Sequence, residues 1–413
     1  MNLLQDLPNP QRRAMDLVRE VALEKDCHPY LVGGPVRDIL LGRRSIDIDL
    51  TLEQDASTLA RALAKRLEGR VRSFPQFLTY KVTAPEFPEI DLTTARKERY
   101  RKPGSLPAVT AGRLKDDLIR RDFSINAIAL DLLNGKMHDP AHGAKDIEAR
   151  LVRVLHDQSF IDDPTRIFRA SRLAARLGFT LEPHTAELMR VAIESDALAT
   201  VSKERIWREV FLAMDEDEAP QILTQLSESG ALDPLFGPMF GRKGNGTLRA
   251  PLETIRGALA ANPEADRYVL YTGALLRGDA SPIDFEGSGF SQRRARTVVE
   301  LANELPRVLE ALESATDDRE RFAIYRSVTP EMLVLVAAER PEERTNLQRF
   351  HEFESFRLPL RGNDLEVPGG PHVAQALEQT REAVFSGAIP AEQAKTYARQ
   401  VARRLLEEAG PAT

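Results

Sequence analysis

The hydrophobic pattern changes period near Asp157, and no other feature of the 413 residues limits the fold as much. Before that point helical and strand-like stretches alternate. Ala14, Leu17, Val18, Val21 and Ala22 recur at helical spacing within 9–25, and Pro29-Tyr30-Leu31-Val32 reads as a strand that stops at Gly33-Gly34. Ile46 to Leu50 and Tyr80 to Thr83 alternate with period two, with a helix over 56–67 between them. Beyond Asp157, residues 164–177, 185–194, 203–214 and 220–229 all carry helical period between Gly, Pro and Ser breaks. This segregation predicts an α+β chain, with a short mixed β-sheet in an N-terminal head and an all-α remainder. Loops expected at 241–246, 281–289 and 359–371 punctuate the helical part, which divides into a neck (141–215), a body (216–355) and a tail (356–413) after a head over 1–140.

Charge restricts the partners. Lys plus Arg number 57 and Asp plus Glu 63, so the balance is 57 − 63 = −6, and any polyanion must meet a local basic face rather than a basic surface overall. The lone Cys27 can form no intrachain disulfide, which suits a reducing cytoplasm. Charge arrives early at the N-terminus and no run approaches the roughly 18 apolar residues of a membrane span, so a cytoplasmic protein without membrane association is expected. No protein partner is implied.

Chemistry concentrates in Leu31-Val32-Gly33-Gly34-Pro35-Val36-Arg37-Asp38, followed by Asp47-Ile48-Asp49. Two glycines between a strand and a helix let the backbone approach a triphosphate, the helix start offers N–H groups, and Arg37 can reach phosphate oxygens. Two residues apart on a strand, Asp47 and Asp49 point to one face, where both carboxylates can share two divalent ions about 3.5 to 4 Å apart. Mg²⁺ suits all-oxygen ligation of this kind. Either half alone fits an ordinary turn or a solvated edge strand. Their occurrence together, in this order, favours chemistry.

Gly-Gly-Pro-Val-Arg-Asp followed by Asp-Ile-Asp resembles the nucleotidyltransferases related to DNA polymerase beta, and specifically the class II tRNA nucleotidyltransferase and bacterial poly(A) polymerase family. Later blocks extend the resemblance. In the segment Asp117 to Ala129, two arginines, an acid and an amide fall within the seven residues 120–126, beside apolar side chains, and need partners. It is similar to the family's Arg-Arg-Asp motif, which implies that Arg121, Asp122 and Asn126 contact the ribose and triphosphate of a bound nucleotide; Arg120 suits an internal ion pair. Asp139 to Arg153 is similar to the family's hinge motif and reads as structural. In Asp162 to Arg172, Arg166, Arg169 and Arg172 form a cationic stripe that needs anions, opposite an apolar stripe of Ile167, Ala170, Leu173, Ala174 and Leu177. That block resembles the family's Glu-Asp-x-x-Arg motif, with Asp162 where Glu is usual. The resemblance implies that Asp163 accepts from the exocyclic amine of cytosine or adenine and Arg166 donates to ring acceptors, so that side chains replace a template. Ser202 to Glu209 is similar to a family helix, Ser-x-Glu-Arg-Ile-x-x-Glu, that supports the arginine stripe.

Asp91 is expected to close a strand and is a candidate third carboxylate, and 96–107 reads as a mobile, basic, Gly/Pro-rich loop. The resemblance implies a loop that helps the change from CTP to ATP. Its full length argues against an enzyme that adds only C and leaves one that adds only the terminal A open. Ser229 to Phe236 and Gly362 to Pro371 resemble body and tail landmarks more weakly. Arg293-Arg294-Ala295-Arg296 and Arg399 to Arg404 suit the acceptor and T arms of tRNA, or equally solvated helix faces. The pairs His138-Asp139 and His156-Asp157 lack the further His and Asp of a metal phosphohydrolase. The expectation is an enzyme that rebuilds the 3′ CCA end of tRNA from CTP and ATP without a nucleic-acid template, with Asp47 and Asp49 as catalytic Mg²⁺ ligands. Its alternatives are an enzyme adding only the terminal A, a poly(A) polymerase of the same family, a catalytically silent RNA-binding relative and a small-molecule nucleotidyltransferase.

Overall fold

The apolar spacing of the first segment becomes helix α1 (Asn9–Glu24), which buries Ala14, Val18, Val21 and Ala22 and leaves Leu17 half-buried. The computed structural model describes residues 9–43, 47–237, 248–262, 264–276 and 283–408. Ile46, the expected loop at 241–246 and the first two residues of the one at 281–289 lie outside the described residues. After α1 come β1 (Pro29–Val32), α2 (Gly34–Leu40), β2 (Ile48–Leu52), α3 (Ala56–Arg66), β3 (Arg70–Phe74), β4 (Thr79–Thr83) and β5 (Ile90–Thr94). Next are β6 (Arg96–Arg99), β7 (Ala108–Ala111), α4 (Leu114–Ile119), β8 (Ala129–Asp131) and β9 (Met137–His138).

Seven of these strands form one mixed sheet in the order β3-β4-β5-β2-β1-β8-β9. Only β2 and β5 run parallel, and the crossover between them carries α3, whose start is capped by Asp55 accepting from the Ser57 N–H at 2.9 Å. Register decides the two faces. Leu50 lies opposite Leu92 and Ile90 opposite Val82, which with Leu59 and Leu63 of α3 form a buried apolar layer. The alternate positions put Asp49 opposite Asp91 and Asp91 opposite Lys81 on the other face. Asp91 is therefore the second residue of β5, not its closing one.

Residues 96–111 correct the expectation of a plain loop, because β6 and β7 pair as an antiparallel hairpin whose tip is 100–107. A strand of sequence Arg-Lys-Glu-Arg has no apolar alternation to announce it. Its order comes from charge: Arg96 and Glu98 pair at 3.0 Å, and Arg120 reaches the same Glu98 oxygen at 2.8 Å.

Beyond the sheet the chain continues as α5 (Gly143–Ala149), α6 (Ser159–Asp162), α7 (Arg166–Leu177), α8 (Pro183–Glu194), α9 (Lys203–Met214) and α10 (Ala219–Glu228). Asp139 accepts from the Gly143 and Ala144 N–H groups at 2.7 and 3.0 Å, and a Cβ on Gly143 would stand 2.0 Å from the Ser124 carbonyl oxygen. The hinge block is thus a backbone-on-backbone contact that only glycine permits. Ile167, Ala170, Leu173, Ala174 and Leu177 are buried as their stripe requires.

The chain separates into two compact units, Met1–Arg249 with Pro282–Ser291, and Ala250–Ser281 with Gln292–Thr413. The described part of 282–291 belongs to the first because the Trp207 indole N–H donates to the Asp284 carbonyl at 3.2 Å and its ring stacks on Phe285 with centroids 6.0 Å apart. In the second unit Phe350 lies 5.4 Å from Phe322 and 5.3 Å from Tyr325, and Leu365, Ala376, Ala398, Val401 and Ala402 form a further core. Several arginines of the expected basic patches are paired within this unit: Arg294 with Asp266, Arg296 with Glu300 and Arg399 with Glu366. Arg293 and Arg403 are exposed. Among the described residues no helix is long and apolar enough to cross a membrane.

Candidate active site

The β1–α2 turn opens the site. Gly33 has φ +76°, and a Cβ there would lie 2.6 Å from Arg121 Nη1, so the guanidinium lies against the turn only because no side chain intervenes. Gly34 is under no such constraint, since its Cβ would meet Arg37 at an ordinary 3.6 Å. Replacing Gly33 with Ala should therefore destabilise the protein by about 1–3 kcal/mol and weaken the binding of a nucleoside triphosphate added to it. Gly34→Ala should do much less of both, as melting curves and nucleotide titrations would show.

A cleft of about 730 Å³ begins at this turn, a volume suited to a nucleotide-sized ligand. Gly34, Arg37, Asp47, Asp49, Arg121, Asp122, Asn126, Asp163, Arg166 and Arg169 all line it. Gly33 sits beside it through Arg121. Arg172 turns away: it pairs with Glu209 at 2.8 Å and Glu216 at 3.3 Å.

At the acidic end, Asp49 of β2 faces Asp91 of β5, and Asp47 stands one residue ahead of β2. Burial, with the neighbouring Asp91 and Asp47 charges, pushes the Asp49 carboxyl up to about 6 despite Arg121. Burial also raises Asp91, against the pull of Lys81, whose ammonium stands 3.5 Å from Asp91 Oδ1 and 2.6 Å from Glu89. No hydrogen bond reaches that buried Asp91 oxygen. Acids held together against their mutual repulsion, with only oxygen donors, fit a hard divalent cation. Among the described residues no three metal-binding side chains form a closed cage.

Across the cleft a continuous chain of hydrogen bonds links α2 to α7. Arg37 donates through Nε to Asp38 at 2.9 Å and through Nη1 to Asn126 Oδ1 at 2.6 Å. Asn126 donates to Asp122 Oδ1 at 3.1 Å, and Arg169 Nε donates to Asp122 Oδ2 at 3.0 Å. Burial opposes the Asp122 charge, but Arg169 and the hydrogen bonds from Arg169 and Asn126 outweigh it and hold the carboxyl well below the usual range. Arg37, expected to reach phosphate, thus spends much of its guanidinium on Asp38 and Asn126. Arg121 donates to Asp117 at 3.0 Å, while its Nε is buried without a partner. Arg120 pairs with Asp117 and Glu98, the internal role the sequence allowed it.

The remaining wall comes from the approach to α7. Asp163 lies ahead of the helix, where its Oδ1 accepts from the Thr165 N–H at 3.2 Å and hydroxyl at 2.6 Å. Arg166 is buried and donates to Ser159 Oγ at 2.6 Å and to the Arg120 carbonyl at 3.1 Å. Several lining residues had no individual role in the sequence reading, among them Arg43, Arg96, Glu98, Tyr100, Thr165 and Arg176. Arg43 donates to the last carbonyls of α7, Arg176 and Leu177, at 3.3 and 3.4 Å; a single basic residue gives no sequence signal for such a cap.

Residues 29–153 match the family model described as the poly A polymerase head domain, and 178–241 match one described as a probable RNA and SrmB-binding site of polymerase A. The chain is 36% identical over 267 residues to a CC-adding tRNA nucleotidyltransferase of Deinococcus radiodurans, covering 62% of this chain and 70% of that one. It is 38% identical over 239 residues to an A-adding tRNA nucleotidyltransferase of Halalkalibacterium halodurans, covering 57% of this chain and 56% of the relative. A crystal structure of a tRNA nucleotidyltransferase complexed with a primer tRNA and an incoming ATP analog superposes with a TM-score of 0.67 at 28% identity, covering 83% of this chain and 100% of that one. A mixed-sheet nucleotidyltransferase head joined to helices is the class of fold these similarities define. The chain belongs to the tRNA nucleotidyltransferase and poly(A) polymerase family. It spans about half the length of the curated relatives it matches first.

Proposed function

We propose that this protein is a cytoplasmic enzyme that rebuilds the 3′ CCA end of tRNA from CTP and ATP, releasing pyrophosphate at each addition. The observation that supports this best is the convergence, in one cleft, of Asp47 and Asp49 with Asp163 and Arg166. The first pair suits phosphoryl chemistry and the second suits reading a base edge. Asp47 and Asp49 would hold divalent cations, which when bound supply activation of the tRNA 3′-hydroxyl and stabilisation of the leaving pyrophosphate. Arg121, against the Gly33 turn, and Arg169, beside Asp122, place positive charge where a triphosphate would enter. The head, neck, body and tail divide the work: the head carries the acids, the neck the base readers, and the body and tail, with Arg293 and Arg403 exposed, the surface for the acceptor and T arms.

A second reading, addition of the terminal A alone, is supported by the identity to the A-adding relative. Labelled CTP and ATP offered to tRNA ending at the discriminator base, at C and at CC separate the two. Incorporation of both nucleotides onto tRNA lacking CCA supports the first reading; strict dependence on a CC end supports the second. No incorporation on any of the three would remove both.

The hairpin tip gives a further check. Replacing residues 99–105 with a Gly/Ser linker should leave CC addition largely intact and selectively remove the terminal A, because one pocket must adopt a second geometry for ATP. An enzyme specialised for A would lose all activity in this variant. A-addition at the parental rate would deny the tip any role in switching.

A further inference from the structure

Arg205 stands in the first turn of α9, and its guanidinium makes two bonds that lead to different parts of the cleft. Nη2 donates to Asp163 Oδ1 at 2.8 Å, and Nη1 donates to the carbonyl oxygen of Gly104, at the tip of the β6–β7 hairpin, at 2.6 Å. Gly104 is held from two more sides. Its N–H donates to the Asp162 carbonyl at 3.1 Å, and with φ +67° its Cα faces Thr200 so closely that a Cβ would stand 2.3 Å from Oγ1. The hairpin tip and the carboxylate of Asp163 therefore share one cation. Both ends are largely shielded, with 27% of the Arg205 side chain and 20% of the Asp163 side chain exposed, so solvent does not average the contact away.

Three donors converge on Asp163 Oδ1: the Thr165 N–H, the Thr165 hydroxyl and Arg205. Oδ2 stays outside this set. With one oxygen pinned from three directions the carboxylate plane is fixed, and the direction in which Oδ2 accepts is set before a nucleotide arrives. Thr165 is a chain neighbour and holds Asp163 wherever the tip stands. Arg205 alone among these donors also grips the hairpin.

We propose that Arg205 is a positioning residue that ties the hairpin tip to Asp163 and so sets which base edge the pocket accepts. This rests on Asp163 acting as the base acceptor. The planar guanidinium can serve both acceptors at once in a fixed fork, whereas a lysine ammonium is a point charge on a flexible stem. Arg205→Lys should therefore keep part of the effect and Arg205→Met, which preserves the stem alone, none of it.

The test uses the full chain with tRNA ending at CC and at the discriminator base, and measures single-turnover incorporation of CTP, ATP, UTP and GTP with the KM of each. Hydrogen exchange over 100–107 is followed in the free protein. Arg205→Met should raise incorporation of UTP and GTP relative to the cognate nucleotide roughly tenfold, the worth of one charged hydrogen bond, with little change in cognate KM, and should speed exchange at the tip. Arg205→Lys should fall between. Gly104→Ala, which dislodges the tip, and with it the carbonyl that Arg205 holds, from Thr200 while keeping the Arg205 side chain, should shift base choice the same way, and the double variant should be no worse than the worse single one. Unchanged base choice in both Arg205→Met and Gly104→Ala, with the parent active, overturns the proposal and leaves Arg205 a structural tie only. Unchanged tip exchange in Arg205→Met overturns the tie itself. A parent that transfers no nucleotide to tRNA would instead defeat the proposed function, while the exchange measurement would still decide whether Arg205 holds the tip.

Discussion

Asp49→Ala should lower nucleotide transfer at least about a thousandfold and leave tRNA affinity close to that of the parent, and Asp47→Ala should do the same. The acids sit on one face of the head sheet, away from the apolar layer that Leu50, Leu92 and α3 form on the other, so removing either leaves the core intact. Stability gives an independent control. Burial and its acidic neighbours raise Asp49 from 3.8 to about 6. A carboxyl raised on folding costs the native state nothing below its unfolded value, and its penalty grows as pH climbs to the folded one and persists above it. In chelator-treated protein at pH 8, Asp49→Ala should therefore melt no lower than the parent. Loss of transfer with an unchanged or raised Tm identifies a missing catalytic group; loss accompanied by a lower Tm would mean that Asp49 holds the fold, and near-normal incorporation by both variants would sink the assignment. Single-turnover incorporation, filter binding of tRNA and melting curves are the three measurements.

What the sequence discloses here is set by how local each pattern is. The helices α1, α3 and α9 and the strand β4 were legible because their apolar residues repeat within one element. The Gly-Gly turn and Asp47-Ile48-Asp49 were legible because the residues that act together also lie close in the chain. The hairpin β6–β7 was not, since its ordering charges, Glu98 and Arg120, are 22 residues apart. Arg205 was legible only as part of a helix that supports the arginine stripe, and its contact with the hairpin was not, because its two partners lie 42 and 101 positions away. The arginine stripe was half legible. Its spacing showed that anions were needed, but the protein itself supplies several of them, Asp122 for Arg169 and Glu209 with Glu216 for Arg172. Likewise the return of Phe285 and Phe290 to Trp207 depends on aromatic contacts across some 80 residues, a separation at which periodicity carries no information.

Under the proposed function, Asp163→Ala and Arg166→Ala should each cut discrimination against UTP and GTP by about one to two orders of magnitude, since each would remove one side of a base-edge pair worth about 1–3 kcal/mol. Their side effects should differ. Arg166 is buried, and its loss strands Ser159 Oγ and the Arg120 carbonyl, so Arg166→Ala should also lower stability by about 1–3 kcal/mol. Asp163→Ala takes the acceptor from the buried Thr165 hydroxyl, but Arg205 keeps the Gly104 carbonyl, so this variant should lower Tm less than Arg166→Ala does. Neither variant removes Arg121 or Arg169, so triphosphate affinity should fall less than selectivity does. Competition between cognate and non-cognate nucleotides, read with melting curves, gives both quantities for each variant. Parental discrimination in the two variants would transfer base reading to other polar groups on the cleft wall, such as Glu98 and Tyr100 on the hairpin.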